Sequence, residues 1–244
     1  YAQTFQCLNK NAPGGETVET ALRDSCNIFF YNCAKRLGIT KMNEYASAFG
    51  LGQKTGVEIA ESAGTLAGPE EREAAGGVWQ SGDTIQAGIG QSDNLFTPLQ
   101  LSNYCATVAN GGTRYQLHLV QSLIDNSSGT VTETQPKIEE SLDLHKSTLT
   151  AVKSGMRLVA TQGAPSLIFN QLRTEVAAKT GTSQVFVNGV KKNNGFLITF
   201  APYDNPEISV ASVVELAGSG TSTAEITSSI IKYWYQNNTD EKTN

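Results

Sequence analysis

Apolar residues recur at helical spacing through the first two thirds of the chain. The pattern predicts helices at 17–24, 28–37, 40–49, 97–109 and from a cap at Ser147 onward. The clearest start is Thr97-Pro98, because threonine caps a helix and proline is favoured in its first turn. We expect Asn27 to cap the second of these helices and Gly38 to end it.

The segment 50–94 lacks a helical period. It is rich in glycine, serine and acidic side chains, so we expect irregular connections there. Alternating residues at 117–124 and 130–134 flank a turn-forming stretch and indicate a hairpin.

The last third of the chain changes to strand-forming sequence. Three runs at 175–187, 195–201 and 208–216 are separated by turn-forming residues at Val187-Asn188-Gly189 and at 202–206. Such short connections imply antiparallel neighbours. A final amphipathic helix at 223–236 is predicted to cover the sheet. Its apolar face is expected to present Ile226, Ile230, Tyr233 and Trp234.

Together these elements predict an α+β fold, an antiparallel sheet flanked by helices. We expect one domain over 1–244. Residues 1–174 would be mainly helical, 175–236 would hold the sheet and its covering helix, and 237–244 would form a tail.

Composition then removes several classes of function. Of 244 residues, 18 are basic and 23 acidic, giving a net charge of −5 without a basic stripe, so no nucleic-acid partner is expected. No apolar run is long enough to span a bilayer, and any membrane anchor is expected outside this chain. Four cysteines without C-x-x-C spacing and two histidines disfavour a metal site, and no cofactor is expected.

Common catalytic signatures are also missing. The chain has no G-x-S-x-G, no phosphate-binding G-x-x-x-x-G-K-[ST] and no H-E-x-x-H. His118 and His145 have no plausible nucleophile near them in sequence, which disfavours a Ser-His-Asp mechanism. The acidic run at 70–73 is expected to be a solvated loop.

Two short motifs, 154 positions apart, have complementary chemistry. Ser25-Cys26-Asn27 falls at the junction of two predicted helices, and Lys179-Thr180-Gly181-Thr182 lies in a predicted strand. A strand edge with an ammonium, two hydroxyls and a glycine offers donors to a carboxylate and room for a substrate backbone. Serine and asparagine at a helix junction can pass a proton and hold an amide. Together the motifs could serve acyl transfer without histidine.

These motifs, with others in the same order, resemble the penicillin-binding protein transpeptidases of class B. These are serine acyl-transferases that cross-link peptidoglycan and are acylated by β-lactams. The similar segments are Ala21-Leu22-Arg23-Asp24-Ser25-Cys26-Asn27-Ile28-Phe29-Phe30, Gly50-Leu51-Gly52-Gln53-Lys54-Thr55-Gly56, Gly88-Ile89-Gly90-Gln91, Thr97-Pro98-Leu99-Gln100-Leu101 and Ala109-Asn110-Gly111-Gly112. The likeness extends along nearly all of residues 1–236.

Two partial matches are expected to be decoys. Lys54-Thr55-Gly56 repeats the K-T-G triplet in irregular sequence without a strand pattern, so Lys179 is taken as the catalytic copy. Ser229 and Lys232 match S-x-x-K, but they lie in the final helix, whereas the family's nucleophile precedes its S-x-N motif.

The resemblance implies a role for each motif residue. Ser25 would relay a proton, Asn27 would hold the substrate's amide, and Lys179 would keep a positive field over the site. Thr180 and Thr182 would bind the substrate or β-lactam carboxylate, and the Thr182 N–H would donate to an oxyanion. Gly181 would give clearance.

One element of the family pattern has no counterpart. No S-x-x-K precedes Ser25 in the 24 residues available, so the nucleophile is expected outside this chain and the chain alone is expected to be inactive. The absent N-terminal part would also complete the sheet, so strand 208–216 is expected to present an unpaired edge that could support self-association. The resemblance further implies that a partner of Cys7 lies upstream.

The resulting hypothesis is a D,D-transpeptidase fragment that acts on peptidoglycan stem peptides at the extracytoplasmic face of the bacterial membrane. Two alternatives stay open at this point. One is a β-lactamase or β-lactam sensor, and the other is a non-catalytic peptidoglycan-binding or scaffolding module.

Overall fold

The computed structural model describes residues 6–7 and 15–240, with side chains to 238. Within these ranges, none of the helices combines the length and apolar character needed to cross a bilayer. The helical part contains α1 Val18–Arg23, α2 Asn27–Ala48, α3 Pro69–Ala74, α4 Ser81–Ala87 and α5 Pro98–Ala109. After α5 come β1 Thr113–Tyr115, β2 Ser122–Ile124, β3 Val131–Glu133, β4 Ile138–Ser141, α6 Lys146–Gln162 and α7 Ser166–Phe169. The C-terminal part contains β5 Ala177–Val187, β6 Val190–Ala201, β7 Ile208–Val214, a 3-10 helix Gly220–Thr223 and α8 Ala224–Asp240.

The predicted antiparallel meander is confirmed. The sheet has the order β5-β6-β7, and both pairs are antiparallel. The turn between β5 and β6 is Asn188-Gly189, with φ values of 51° and 75° that a type I′ turn requires. Among the described residues β7 pairs only with β6, so its other edge is unpaired as expected.

Apolar residues pack on both faces of this sheet. On one face, α6, α7 and α8 contribute Val159, Phe169 and Ile231 around Leu197 of β6. On the other face, α5 and α6 contribute a cluster around Phe200. The helix α5 begins at Pro98 as predicted, and Thr97 and Gln100 form a reciprocal capping box at its start.

The helix α1 lies directly against α6, and a glycine permits this approach. A Cβ added at Gly155 of α6 would lie 2.6 Å from Leu22 Cδ1 and 3.1 Å from the Glu19 Cα. Any larger residue would therefore push α1 away. Because Ser25 follows α1, this contact fixes the position of the first motif.

Several predicted boundaries differ from the structure. Asn27 is the first residue of α2 rather than its cap, and the preceding Cys26 makes no side-chain capping bond. The predicted helix end at Gly38 is confirmed, because its φ of 74° and ψ of 163° are non-helical and α2 consists of two helical segments that meet at this kink. The prediction of irregular structure at 50–94 is wrong for α3 and α4. These helices have proline or capping-box starts but bury no residue, so no apolar period marks them.

In the C-terminal helix the predicted apolar face is wrong for Ile226, Ile230 and Tyr233, whereas the fourth predicted residue, Trp234, is half-buried. Ile226, Ile230 and Tyr233 are 48%, 42% and 71% exposed, whereas Ile231 is fully buried. Thr227 is buried instead, because its hydroxyl hydrogen-bonds the Ser212 hydroxyl at 2.8 Å. The helix also runs to Asp240, so the predicted tail lies partly in the helix, and its residues 241–244 lie outside the described part.

Neighbouring isoleucines of α8 provide a test of this orientation. We expect Ile231→Ala to lower the free energy of unfolding by about 2–5 kcal/mol, because it leaves a cavity in the core. The matched control Ile230→Ala should change it by less than about 0.5 kcal/mol, because that side chain faces solvent. Urea unfolding followed by circular dichroism measures both, and equal losses would contradict the orientation.

Candidate active site

The two sequence motifs meet in one groove. Lys179 Nζ lies 2.7 Å from Ser25 Oγ and donates a hydrogen bond to it. The same ammonium donates to the Thr180 carbonyl at 2.7 Å. A lysine has three donors, so one remains for a further partner in the groove. The contact joins residues 154 positions apart and brings the helix junction onto the edge of the sheet.

Ser25 occupies an unusual backbone conformation. Its φ is +49°, in the left-handed region that residues other than glycine rarely adopt. The Ser25 and Cys26 N–H groups donate back to Leu22 and Ala21 of α1, at 3.3 and 2.9 Å, which ends that helix tightly. The strained turn directs the serine hydroxyl at the lysine rather than to solvent.

The remaining residues of the S-x-N motif differ in their surroundings. The Asn27 side chain makes no hydrogen bond with the part of the chain that the structure describes, so its carboxamide is available to a ligand. Burial raises the pKa of the Cys26 thiol, and a hydrogen bond with the Cys7 side chain raises it further. Cys7 therefore lies beside Cys26, and the upstream partner that the resemblance implies for Cys7 stays a prediction.

Burial also sets the charge state of the lysine. Removal from water lowers the pKa of Lys179 to about 8. At pH 7 most of the molecules still carry the ammonium. The positive charge would be lost as the pH rises above about 8, which lies inside the range accessible to experiment.

The hairpin geometry shows which backbone groups of β5 face the groove. Val187 and Val190 flank the two-residue turn, so they form a hydrogen-bonded pair, and such pairs recur at every second residue. The even-numbered Thr180, Thr182 and Gln184 therefore direct their N–H and C=O away from β6. The Thr182 N–H points into the groove, as an oxyanion donor must.

Close packing surrounds the glycine of the second motif. A Cβ at Gly181 would lie 3.2 Å from the Cβ of its cross-strand neighbour Phe196. A Cβ at Gly220 of the 3-10 helix would lie 2.5 Å from the Gly181 carbonyl oxygen. The sequence did not identify Gly220 as part of the site, because the close approach of its backbone to β5 leaves no pattern in the local sequence.

A cavity of about 730 Å³ adjoins these groups. Lys179, Thr180, Gly181 and Thr182 line one wall. The rest of the lining is mainly apolar and includes Ile39, Met42, Leu51, Leu101, Tyr104, Phe196 and Ile198. The space is large enough for a peptide ligand or a packed structural element.

The structure also separates the decoys from the site. The N–H groups of Thr55 and Gly56 in the first K-T-G triplet both donate to the Glu61 carboxylate, at 2.9 and 2.8 Å, so this copy is a closed loop. Ser229 and Lys232 are exposed on α8. The two histidines are exposed as well, each bonded to a near neighbour along the chain.

Comparison with known proteins agrees with this fold. The family model for the penicillin-binding protein transpeptidase domain matches residues 1–232. The chain therefore belongs to the penicillin-binding protein transpeptidase family.

Individual relatives give the extent of the likeness. Penicillin-binding protein 2A of Bacillus subtilis is 32% identical over 226 residues, which cover 81% of this chain and 30% of that protein. Peptidoglycan D,D-transpeptidase MrdA of Escherichia coli is 31% identical, covering 93% of this chain and 38% of that protein. The crystal structure of Pseudomonas aeruginosa PBP2 in complex with WCK 5153 superposes with a TM-score of 0.82 at 27% identity, covering 96% of this chain and 52% of that one. The chain thus spans about a third of the length of these two curated relatives.

The backbone strain at Ser25 can be measured with two substitutions. Ser25→Ala and Ser25→Gly both remove the hydroxyl, but only alanine retains the cost of the left-handed conformation. We expect Ser25→Gly to be more stable than Ser25→Ala by about 1 kcal/mol, because glycine adopts a positive φ freely. Thermal unfolding compares them. An alanine variant of equal or greater stability would show that the turn is not left-handed in solution.

The lysine pKa is directly measurable. We expect the Lys179 side chain to titrate with a midpoint near pH 8 in NMR spectra of selectively labelled lysine. Its charge should be present below that pH and lost above it, because burial disfavours the protonated form. Lys179→Met identifies the signal by its disappearance. A midpoint above pH 10 would mean that the ammonium is hydrated.

Proposed function

We propose that this chain is the C-terminal portion of a penicillin-binding D,D-transpeptidase, which cross-links peptidoglycan stem peptides by serine acyl transfer. The observation that carries the proposal is the 2.7 Å hydrogen bond from Lys179 to Ser25 beside the cavity. Membership of the transpeptidase family supports it.

In the proposed reaction, a serine hydroxyl attacks the stem-peptide carbonyl and an amine leaves. Ser25 lies where it can relay the proton from the attacking hydroxyl to the leaving amine, while Lys179 holds the relay hydroxyl in place. The Thr182 N–H stabilises the developing oxyanion. Thr180 and Thr182 hydroxyls bind the substrate carboxylate next to the Lys179 charge, and Asn27 binds the substrate amide. Gly181 adds no side chain that would obstruct the substrate.

We assign the attacking serine to a segment upstream of Ser25. Lys179 adjoins an apolar cavity of about 730 Å³, a volume that suits the packed face of a helix carrying a serine and a lysine one turn later. The unpaired edge of β7 is a second surface that an upstream segment would cover by adding a strand. In the isolated chain, a second copy could instead pair with the same edge, which would lead to self-association.

The proposed substrate sets the proposed location. Peptidoglycan lies outside the bacterial cytoplasmic membrane, so the site would act on its extracytoplasmic side. The same site would bind β-lactams, whose carboxylate and strained amide present the same two groups to Thr182 and Lys179.

Covalent labelling with a fluorescent penicillin tests the proposal. We expect no stable label on this chain alone and clear labelling of a protein extended upstream through an S-x-x-K motif. In that extended protein Lys179→Ala should slow labelling by about 100-fold or more, because proton transfer and charge stabilisation both depend on this group.

The duplicate triplet supplies a matched control. Lys54→Ala also removes a lysine from a K-T-G sequence, but this triplet lies in the loop that is closed by Glu61. The extended protein with this substitution should therefore be labelled at the normal rate. Labelling of the isolated chain at one of its own serines would contradict the assignment of the nucleophile. Equal effects of the two lysine substitutions would contradict the assigned site.

A further inference from the structure

A glutamine side chain already occupies part of the open edge of β5. Gln91 Nε2 donates a hydrogen bond to the Thr182 carbonyl oxygen at 3.2 Å, across 91 positions of sequence. The Thr182 carbonyl is one of the even-numbered groups that point away from β6. Gln91 therefore reaches over the groove from the loop after α4 and bonds the residue that supplies the oxyanion donor.

The backbone of Gln91 is held from both sides. Its N–H donates to the Gln86 carbonyl at 3.1 Å, and its carbonyl accepts from the Asn94 side chain at 3.1 Å. Asn94 also accepts from the Ala67 N–H at 2.9 Å. Because the backbone is fixed, motion of Gln91 is confined to its side chain, which can swing away from the strand without unfolding the loop.

An arginine beneath the loop strengthens this support. Arg72 donates to Asp93 at 2.6 Å, to Ser92 at 3.2 Å and to Asp83 at 3.3 Å. Its guanidinium also lies 5.7 Å from the centroid of the Trp79 ring. The residues that follow Gln91 are thus tied to α3 and α4, and the loop forms a stable base for the side chain.

The bond made by Gln91 resembles the bond that a peptide ligand would make. A strand that adds to an antiparallel edge makes two hydrogen bonds with one outward-facing residue. The N–H of that residue donates to a carbonyl of the added strand, and its C=O accepts from an N–H of the added strand. At Thr182 the N–H serves the oxyanion, so the carbonyl is left for an amide N–H of the ligand. Gln91 supplies an amide N–H to that same atom and approaches it from the same side.

We propose that Gln91 is a specificity-determining residue that substitutes for the substrate's amide and is displaced by it. This proposal rests on the proposed function. A ligand that carries a secondary amide beside its reactive carbonyl replaces the Gln91 bond with its own. A ligand without that amide does not displace Gln91. Removing the Gln91 side chain therefore does not improve the reaction of the protein with that ligand.

Two β-lactams of different side chain test the proposal in the protein extended upstream through S-x-x-K. Benzylpenicillin carries an acylamino N–H next to the ring, and imipenem carries a hydroxyethyl group instead. We expect Gln91→Ala to raise the second-order acylation rate constant for benzylpenicillin about three- to tenfold, the effect of one competing hydrogen bond. The constant for imipenem should stay within about twofold, so the ratio of the two constants rises.

Two further variants keep the result interpretable. Gln91→Glu has nearly the same volume but cannot donate to the carbonyl, and it should raise the same ratio even if the alanine variant folds poorly. Gln86→Ala is the matched control, because Gln86 contributes its backbone carbonyl to the loop and its side chain does not line the cavity. It should leave the ratio unchanged.

Each other outcome has a defined meaning. A ratio that stays constant or falls, including an equal loss of both rates, overturns the proposal and leaves Gln91 a purely structural contact. Failure of either compound to acylate the unsubstituted extended protein overturns the proposed function, and the role of Gln91 with it.

Discussion

The arrangement of this chain depends on one partly buried ammonium. Lys179 is held by the Ser25 hydroxyl and by the carbonyl of the next residue in its own strand. A cation removed from water is costly unless its donors are satisfied, so the contact constrains everything that positions Ser25. The contact requires α1 to end at the edge of the sheet, with α6 packed between α1 and the sheet. It also requires the Ser25 backbone to adopt a left-handed conformation.

The groove has two walls with different physical origins. The β5 wall is rigid because its odd-numbered residues are bonded to β6 throughout the hairpin. The facing loop has no regular structure. It is held by Asn94, whose side chain bonds backbone groups, and by Arg72, which donates to the Asp93 and Ser92 side chains. Such a loop can keep its path while a single side chain changes rotamer, which a strand edge cannot do.

Much of this architecture is predictable from sequence, since the signals are local. Thr97-Pro98 and Asn188-Gly189 specify a helix start and a hairpin turn through backbone geometry alone, and both are confirmed. The pairing of Ser25 with Lys179 was available only through resemblance to a family, because nothing local links positions so far apart. The predicted orientation of α8 is wrong because a hydrogen bond between hydroxyl groups allows Thr227 to be buried, while Ile226 and Ile230 stay exposed. The contact of Gln91 has no periodicity and could be found only from coordinates.

The absence of a side chain at Gly155 matters beyond local packing. It lets α1 rest on α6, and the end of α1 brings the Ser25 hydroxyl to Lys179. The geometry of the contact between Ser25 and Lys179 therefore depends on a position outside the cavity lining. A survey of substitutions confined to the residues that line the cavity would overlook this helix crossing.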